Sequence, residues 1–151
     1  MAGSVDIRFL GISRLQAKLE AKKKAIQGEA MVEALNKAAA VVTSTAKSIV
    51  PVRTGALRSS IHPIKAEVSD GKVTSGASTA MEYAPYVEFG TGVRGAETHE
   101  YEPKGVKLAY RPDWPGMIAQ PFMYPALHQN KDKIQKLVRA AMIKAVLKGG
   151  K

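Results

Sequence analysis

Apolar residues recur every three or four positions over the first third of the chain, the spacing that places them on one face of an α-helix. This stripe predicts one long amphipathic helix that can bend at Gly28, because glycine inside a helix costs about 1 kcal/mol relative to alanine. Pro51 ends the helix, since proline lacks the N–H of the next turn and pushes Val50 towards an extended conformation. The residues of the stripe are Leu15, Leu19, Ile26, Met31, Leu35, Ala38, Val42, Ala46 and Ile49.

Strand signals follow this helix. Residues 56–68 and 72–77 are predicted to be extended, and Asp70-Gly71 between them is typical of a two-residue hairpin turn. Pro63 places part of the first strand at an edge or a bulge. A further short strand is predicted near the start of the chain, where apolar and polar residues alternate at Val5, Asp6, Ile7, Arg8 and Phe9.

The remaining chain divides into three parts. Pro85 and Gly90 bracket residues 86–89, which predicts a very short helix, with a strand as the alternative. Residues 91–119 are interrupted by glycines and prolines, and a connection of this length is usually functional or mobile. A final amphipathic helix is predicted from Pro121 or Pro125 to Lys148, with Met123, Leu127, Ile134, Val138, Ala141 and Ala145 on one face.

This order of elements indicates an α+β fold: a small, mainly antiparallel sheet with a long helix from the N-terminal half and a C-terminal helix packed on one side. The 151 residues fit a single domain, residues 1–151, with a flexible loop at about 91–119.

Composition agrees with a soluble globular protein, since 45% of the residues are hydrophobic and 24% are charged. No stretch is long and apolar enough to span a bilayer, so no membrane partner is expected. The N-terminus does not resemble a secretion signal, and the protein is expected to stay in the cytoplasm in which it is made. The absence of cysteine excludes disulfides and a cysteine nucleophile.

The net charge of +10 suggests attraction to polyanions. The cations, however, fall on predicted helices, where lysine normally forms a solvated face, and there are few aromatic residues for base stacking. A solvated face is therefore favoured over a dedicated nucleic-acid surface. The clusters are Lys22, Lys23 and Lys24, and Lys131, Lys133, Lys136, Arg139, Lys144, Lys148 and Lys151.

The sequence contains little that indicates catalysis or cofactor binding. The histidines, His62, His99 and His128, are isolated, without the spacing of a metal site or of a Ser-His-Asp triad. Glu97, Glu100 and Glu102 surround His99, but a solvated loop explains them better than a cation site. No phosphate-binding glycine pattern is present. The sequence thus predicts a protein that is not an enzyme and has no metal or cofactor.

Three segments at predicted turns contain aromatic or charged residues that a turn does not require. They are residues 51–61, 83–92 and 120–127. Arg53 and Arg58 flank a predicted turn at Thr54-Gly55, well placed for bidentate contact with carboxylates in this chain or a neighbour. Glu88 lies between bulky apolar residues and needs a partner if it is buried, for which one of these arginines is the candidate.

The order of these segments resembles the head-tail connector proteins of long-tailed bacteriophages, also called tail-completion or neck proteins. The resemblance rests on a long helix, Pro-x-x-Thr-Gly-x-Leu from Pro51, Tyr-Ala-x-Tyr-Val-Glu-Phe-Gly-Thr from Tyr83, a variable loop, and Pro-Phe-x-x-Pro-Ala from Pro121. It extends over about residues 5–147. It implies a fold similar to tail terminators and a ring between the head connector and the tail tube.

The resemblance implies that the protein acts in virion assembly and DNA passage. Its expected partners are copies of itself, head-closure or connector proteins, tail-terminator or tail-tube proteins, and, transiently and without sequence preference, phage DNA. Its expected location is the virion neck or tail end, after assembly in the host cytoplasm. The alternative is a basic nucleic-acid-binding module.

Candidate residues follow from the segments and the resemblance together. Those for subunit or turn contacts are Arg53, Thr54, Gly55, Arg58, Tyr86, Glu88, Phe89 and Gly90. Those on the long loop, for the neighbouring layer or the DNA path, are Arg94, Lys104, Lys107 and Arg111.

Overall fold

A computed structural model describes residues 12–26, 28–99, 101 and 107–148. The fold is α+β, as the sequence predicts, with a long helix from the N-terminal half and a C-terminal helix beside a two-stranded antiparallel sheet. The predicted strand at residues 5–9 lies outside the described residues. In chain order the elements are α1 (Ile12–Ile26), α2 (Glu29–Ile49), α3 (Ala56–Ser60), β1 (His62–Ser69), β2 (Lys72–Ser78), α4 (Ala84–Phe89), α5 (Gly92–Thr98), α6 (Met123–Gln129) and α7 (Lys131–Lys148).

Helix α2 is the centre of the fold. It packs against both strands and against α6 and α7, while α1 packs against α7. Its buried face includes Met31, Ala38, Val42 and Ala46 of the predicted stripe. Its four buried alanines, Ala34, Ala38, Ala39 and Ala46, allow close approach of its neighbours. The main core joins this face to α3, α4 and α6 through Val42, Ala46, Val50, Leu57, Ile61, Ala84, Phe122 and Ala126.

The hairpin forms where Asp70-Gly71 predicts it. Both residues have positive φ, 49° at Asp70 and 74° at Gly71, as a two-residue turn with the twist of the strands requires. The antiparallel register shifts between Ile64 and Glu67, next to Pro63, which fits the edge or bulge expected there.

Two predictions of secondary structure, a continuous helix across Gly28 and an extended segment from residue 56, are wrong. The chain does not form one bent helix, since α1 ends at Ile26 and α2 begins at Glu29 with Gly28 in extended conformation as its N-cap. Residues 56–60 are not extended but form α3, because Gly55 adopts φ 82° and its carbonyl oxygen accepts the N–H of Ser59 at 2.9 Å. The predicted stop at Pro51 is confirmed, with Val50 at ψ 135°.

The C-terminal region also differs from the prediction. The last helix is divided at Asn130, whose side-chain amide donates to Thr45 Oγ1 and to the Ala126 carbonyl oxygen, both at 2.8 Å. These two bonds satisfy the amide at the junction and tie it to α2. The region 91–119 contains α5, which its glycine-rich sequence does not suggest.

Candidate functional site

The three segments singled out in the sequence meet at one surface groove with a volume of ≈ 560 Å³. The turn before α3 forms one wall, α4 with the residues before it forms the other, and residues leading to α6 close the groove. Its lining residues are Pro51, Val52, Arg53, Thr54, Gly55, Leu57, Tyr83, Tyr86, Val87, Met117 and Gln120.

Glu88 links the second segment to the third. Its side chain is 5% exposed. Oε2 accepts the backbone N–H groups of Phe122 and Met123 at 2.8 and 2.9 Å, and Oε1 accepts that of Tyr124 at 2.9 Å. The hydroxyl of Tyr101 also donates to Oε1. Four donors therefore compensate the buried carboxylate, and the predicted pairing of Glu88 with an arginine is wrong.

Local sequence explains why these amides are available. Phe122, Met123 and Tyr124 lie at the start of α6, where backbone N–H groups have no partner within the helix and a negative charge is favoured. Pro121 and Pro125 flank the three donors directly, at positions where no N–H is used. On the other side, Pro85 lies in the first turn of α4 and Gly90 ends the helix at φ 72°, which fixes Glu88 on the helix. The short-helix prediction is confirmed.

Aromatic rings cover the carboxylate. Tyr101 stacks on Tyr124 with centroids 3.9 Å apart and contacts Phe89 at 5.4 Å, while Tyr124 stacks on His128 at 5.8 Å. Burial raises the pKa of the Tyr101 hydroxyl, and its hydrogen bond to Glu88 raises that pKa further. Tyr101 is thus held in its neutral, donating form against the carboxylate.

The arginines of the first segment lie elsewhere. Arg53 and Arg58 are exposed, and neither forms an ion pair or hydrogen bond within the described chain. Thr54 Oγ1 accepts the N–H of Ala56 at 3.4 Å, and Gly55 supplies the left-handed residue of the turn. The arginines therefore remain available for groups outside the chain.

Large apolar side chains are exposed along the groove. Tyr86 is 59% exposed, and Val52, Tyr83 and Met117 are exposed beside it. Tyr86 also borders a second groove, of ≈ 310 Å³, whose lining includes Phe89, Gly90 and Trp114. We call Val52, Tyr83, Tyr86, Met117 and Trp114, together with Arg53, the motif surface.

The long loop is fastened to this surface by its backbone. Thr91 and Met117 exchange both N–H···O bonds at 2.9 Å. In the first turn of α5, the N–H of Val93 donates to the Trp114 carbonyl oxygen and that of Arg94 to the Pro115 carbonyl oxygen, both at 3.0 Å. Gly116, at φ 65°, allows this approach, because a Cβ there would overlap the Thr91 carbonyl oxygen.

Three of the four loop cations lie in the described part of the chain, and their side chains are exposed. Arg94 and Lys107 are exposed, and Arg111 bonds Asp113 through Nη2 at 2.7 Å and Nε at 3.2 Å. Lys104 lies outside the described residues. The role of these four in a DNA path stays a prediction.

No group of three metal-ligating side chains occurs in residues 12–26, 28–99, 101 and 107–148. Within the same residues, no helix is long and apolar enough to cross a membrane. His62 and His128 are exposed and His99 is half-buried, as expected of boundary histidines.

Sequence reasoning missed Tyr101, Tyr124 and the three amides that bind Glu88. An acidic residue between bulky apolar neighbours did signal a buried carboxylate that needs donors. The Pro121 and Pro125 pair was the available signal for a helix start with free N–H groups.

Comparison with known families agrees with this arrangement. The profile of the HK97-gp10-like family, described as "Bacteriophage HK97-gp10, putative tail-component", matches residues 13–90. The match includes α1 to α4 and Glu88, and it ends before the third segment. Neither the search of curated proteins nor the search of solved structures returns a match. The structure is that of a small α+β protein with an exposed aromatic surface. Because the family profile matches more than half of the chain, the chain belongs to the HK97-gp10-like family of phage tail components. The predicted resemblance to a neck and tail family of long-tailed phages is confirmed.

Proposed function

We propose that the protein is a non-enzymatic virion component that forms a ring at the end of the tail and takes part in joining the tail to the DNA-filled head. Family membership supports a structural role in the tail and a location in the virion. The ring, its place in the neck and its part in assembly and DNA passage are the proposed steps.

The observation that carries the proposal is the motif surface. Tyrosine, tryptophan, methionine and arginine are enriched in protein interfaces, where large side chains with polar ends fill pockets on a partner. Here such side chains are exposed around two grooves. The segment beneath them is rigid, because Glu88 fixes α4 to the start of α6. A rigid apolar surface loses little conformational entropy on binding.

A contact between the motif surface and a different part of the next copy is heterologous, and such a contact closes into a ring when its rotation allows. Arg53 and Arg58 are free to bind carboxylates of the next copy in bidentate geometry. The two ends of the ring then contact the head-closure or connector protein on one side and the tail-terminator or tail-tube protein on the other. The exposed loop cations Arg94 and Lys107 suit a DNA path, and assembly takes place in the host cytoplasm.

Variants of the motif surface test self-association. We expect Tyr86→Ala and Arg53→Ala to fold with unfolding free energies within about 0.5 kcal/mol of the parent, because both side chains are exposed. Ring formation, measured by analytical ultracentrifugation and negative-stain microscopy, should weaken at least tenfold. Val68→Ala is the control, since Val68 is similarly exposed but lies on the hairpin. Undiminished rings in both variants would remove the motif surface from the interface.

The assembly role is tested in particles that lack the protein. Electron microscopy of a phage carrying a deletion of the gene should find full heads and finished tails that fail to join. Adding the purified protein should restore joining. Joined, infectious particles without the protein would overturn the proposal.

The net charge of +10 favours one second candidate, a basic nucleic-acid-binding module. That function requires the isolated protein to bind duplex DNA tightly, with an affinity that falls steeply as salt rises. The ring proposal requires weak binding without sequence preference. Fluorescence anisotropy with a labelled duplex at 50 and 200 mM salt separates the two.

A further inference from the structure

Helix α1 exposes apolar side chains that nothing in the described structure covers. Every described side chain of α1, residues 15–24, is exposed. Leu15 and Leu19 are 59% and 57% exposed, and they lie one turn apart on the same side of the helix. A 15-residue helix is marginally stable in water without packing. An added contact over these leucines would therefore stabilise α1.

Helix α7, which packs against α1, also exposes large apolar side chains near its C-terminal end. Ala141 and Ala145 are buried, and Ala141 packs with Met31 and Ala34 of α2. Ile143 and Leu147, one turn apart, are 61% and 72% exposed. At this end of α7 the small residues are thus buried, while Ile143 and Leu147 point away from the core.

The same two helices carry an excess of positive charge. On α1 the exposed cations are Lys18, Lys22, Lys23 and Lys24, and the only described carboxylate is that of Glu20. On α7 they are Lys131, Lys133, Lys136, Arg139 and Lys144, against Asp132 alone among its described side chains. From α2, Glu33 faces Lys144 and bonds Lys37, and these cations lower its pKa. The interaction of Glu33 with Lys144 leaves this excess of positive charge largely uncompensated.

We propose that α1 and α7 together, the basic two-helix surface, dock an acidic protein surface with an apolar centre on a second type of virion protein. A face that only kept the protein soluble would not need Ile143 and Leu147 exposed among the lysines. Duplex DNA would satisfy the lysines, but its phosphates offer nothing to the apolar side chains. A second copy that used the same face would bring like charges together. An acidic partner with an apolar strip satisfies both features.

This inference rests on the proposed function only in taking the virion as the place where the partner is found. The surface is distinct from the motif surface, which is formed by the turn before α3, α4 and the loop. The two surfaces therefore allow the protein to bind its own copies and another protein at the same time.

Thiol labelling in intact particles tests the proposal, because the native chain has no cysteine. Leu19→Cys and Leu147→Cys place single thiols on exposed positions of the surface, and Val68→Cys on the hairpin is the control for general protection. Maleimide labelling of purified particles is compared with labelling of the same particles after dissociation. We expect both surface thiols to react at least tenfold more slowly in intact particles, and more slowly than the control.

Zero-length carbodiimide cross-linking then identifies the protein that covers the basic two-helix surface. Peptide mass spectrometry should find lysines of α1 or α7 joined to Asp or Glu of a different virion protein. Three outcomes would each overturn the inference. They are equal labelling before and after dissociation, protection that disappears when nuclease removes the DNA, and cross-links only to other copies of this chain. Absence of the chain from the particles would overturn the proposed function as well, whereas its presence with unprotected thiols overturns this inference alone.

Discussion

At the scale of single residues, Glu88 determines how the site is held. It is a buried carboxylate whose described partners are three backbone amides and the Tyr101 hydroxyl. Backbone and hydroxyl dipoles thus compensate the carboxylate, and Arg53 and Arg58 are left for other contacts. Replacement of the acid removes the acceptor and leaves amides at the start of α6 without a partner.

Glu88→Gln tests this role. The amide retains one carbonyl oxygen but turns an NH₂ group towards backbone donors. We expect the free energy of unfolding to fall by about 1.5–3 kcal/mol, the range for hydrogen bonds to charged groups. Urea denaturation followed by circular dichroism measures it. Glu82→Gln, an exposed change just before α4, should stay within about 0.5 kcal/mol of the parent. Equal effects of the two changes would refute the role of Glu88.

Tyr101 makes the stability of the folded protein depend on pH in a direction that can be predicted. Its pKa is raised above the ordinary value of 10.0 by burial and by Glu88, so the folded state keeps the proton that the unfolded chain loses near pH 10. Its contribution to stability is complete below pH 10 and declines as the pH rises above it. Lysines also titrate in this range, so the comparison is between variants. Tyr101→Phe should flatten the decline between pH 9.5 and 11 in denaturation experiments, whereas Tyr83→Phe, at an exposed position, should not.

At the scale of elements, local signals predicted the hairpin, the stop at Pro51 and the short helix after Pro85. Each depends on the backbone preference of one or two residues, such as Asp70-Gly71, and tertiary context does not override it. The continuity of helices was less predictable. Periodicity continues across Gly28 and Asn130, but whether a helix breaks there depends on contacts such as that of Asn130 with Thr45, which are distant in sequence.

Helix α5 and the strand-like pairing of Thr91 with Met117 were hidden for a related reason. Glycines at 92, 95 and 116 read as loop signals, yet they are present because two backbone segments approach closely. A single sequence does not distinguish a glycine needed for flexibility from one needed for lack of a side chain.

Two glycines with similar backbone angles separate these effects. Gly116 (φ 65°) has no space for a Cβ against Thr91, whereas a Cβ at Gly55 (φ 82°) would meet nothing within 4 Å. We expect Gly55→Ala to cost about 1–2 kcal/mol for the left-handed backbone alone. Gly116→Ala should cost more, because the loop must also move away from α5. Thermal denaturation of both variants measures the difference, and equal losses would contradict the close approach.

At the scale of the whole molecule, the sequence predicted which segments matter but not how they bind one another. Residues within 51–57 and 83–87 do converge with Gln120 on one groove. The sequence predicts an arginine as the partner of Glu88, because charged side chains can be identified directly from a sequence. Backbone N–H groups are present at every residue except proline, and only the fold determines which of them are free.

The link between Glu88 and the start of α6 joins residues 34 to 36 positions apart. The family profile ends at residue 90, so it contains the acid and none of the amides that bind it. During synthesis the acid leaves the ribosome well before its donors do. A fragment truncated at residue 90 would have to bury an uncompensated carboxylate or keep α4 away from the core. We therefore expect that the matched stretch does not fold by itself.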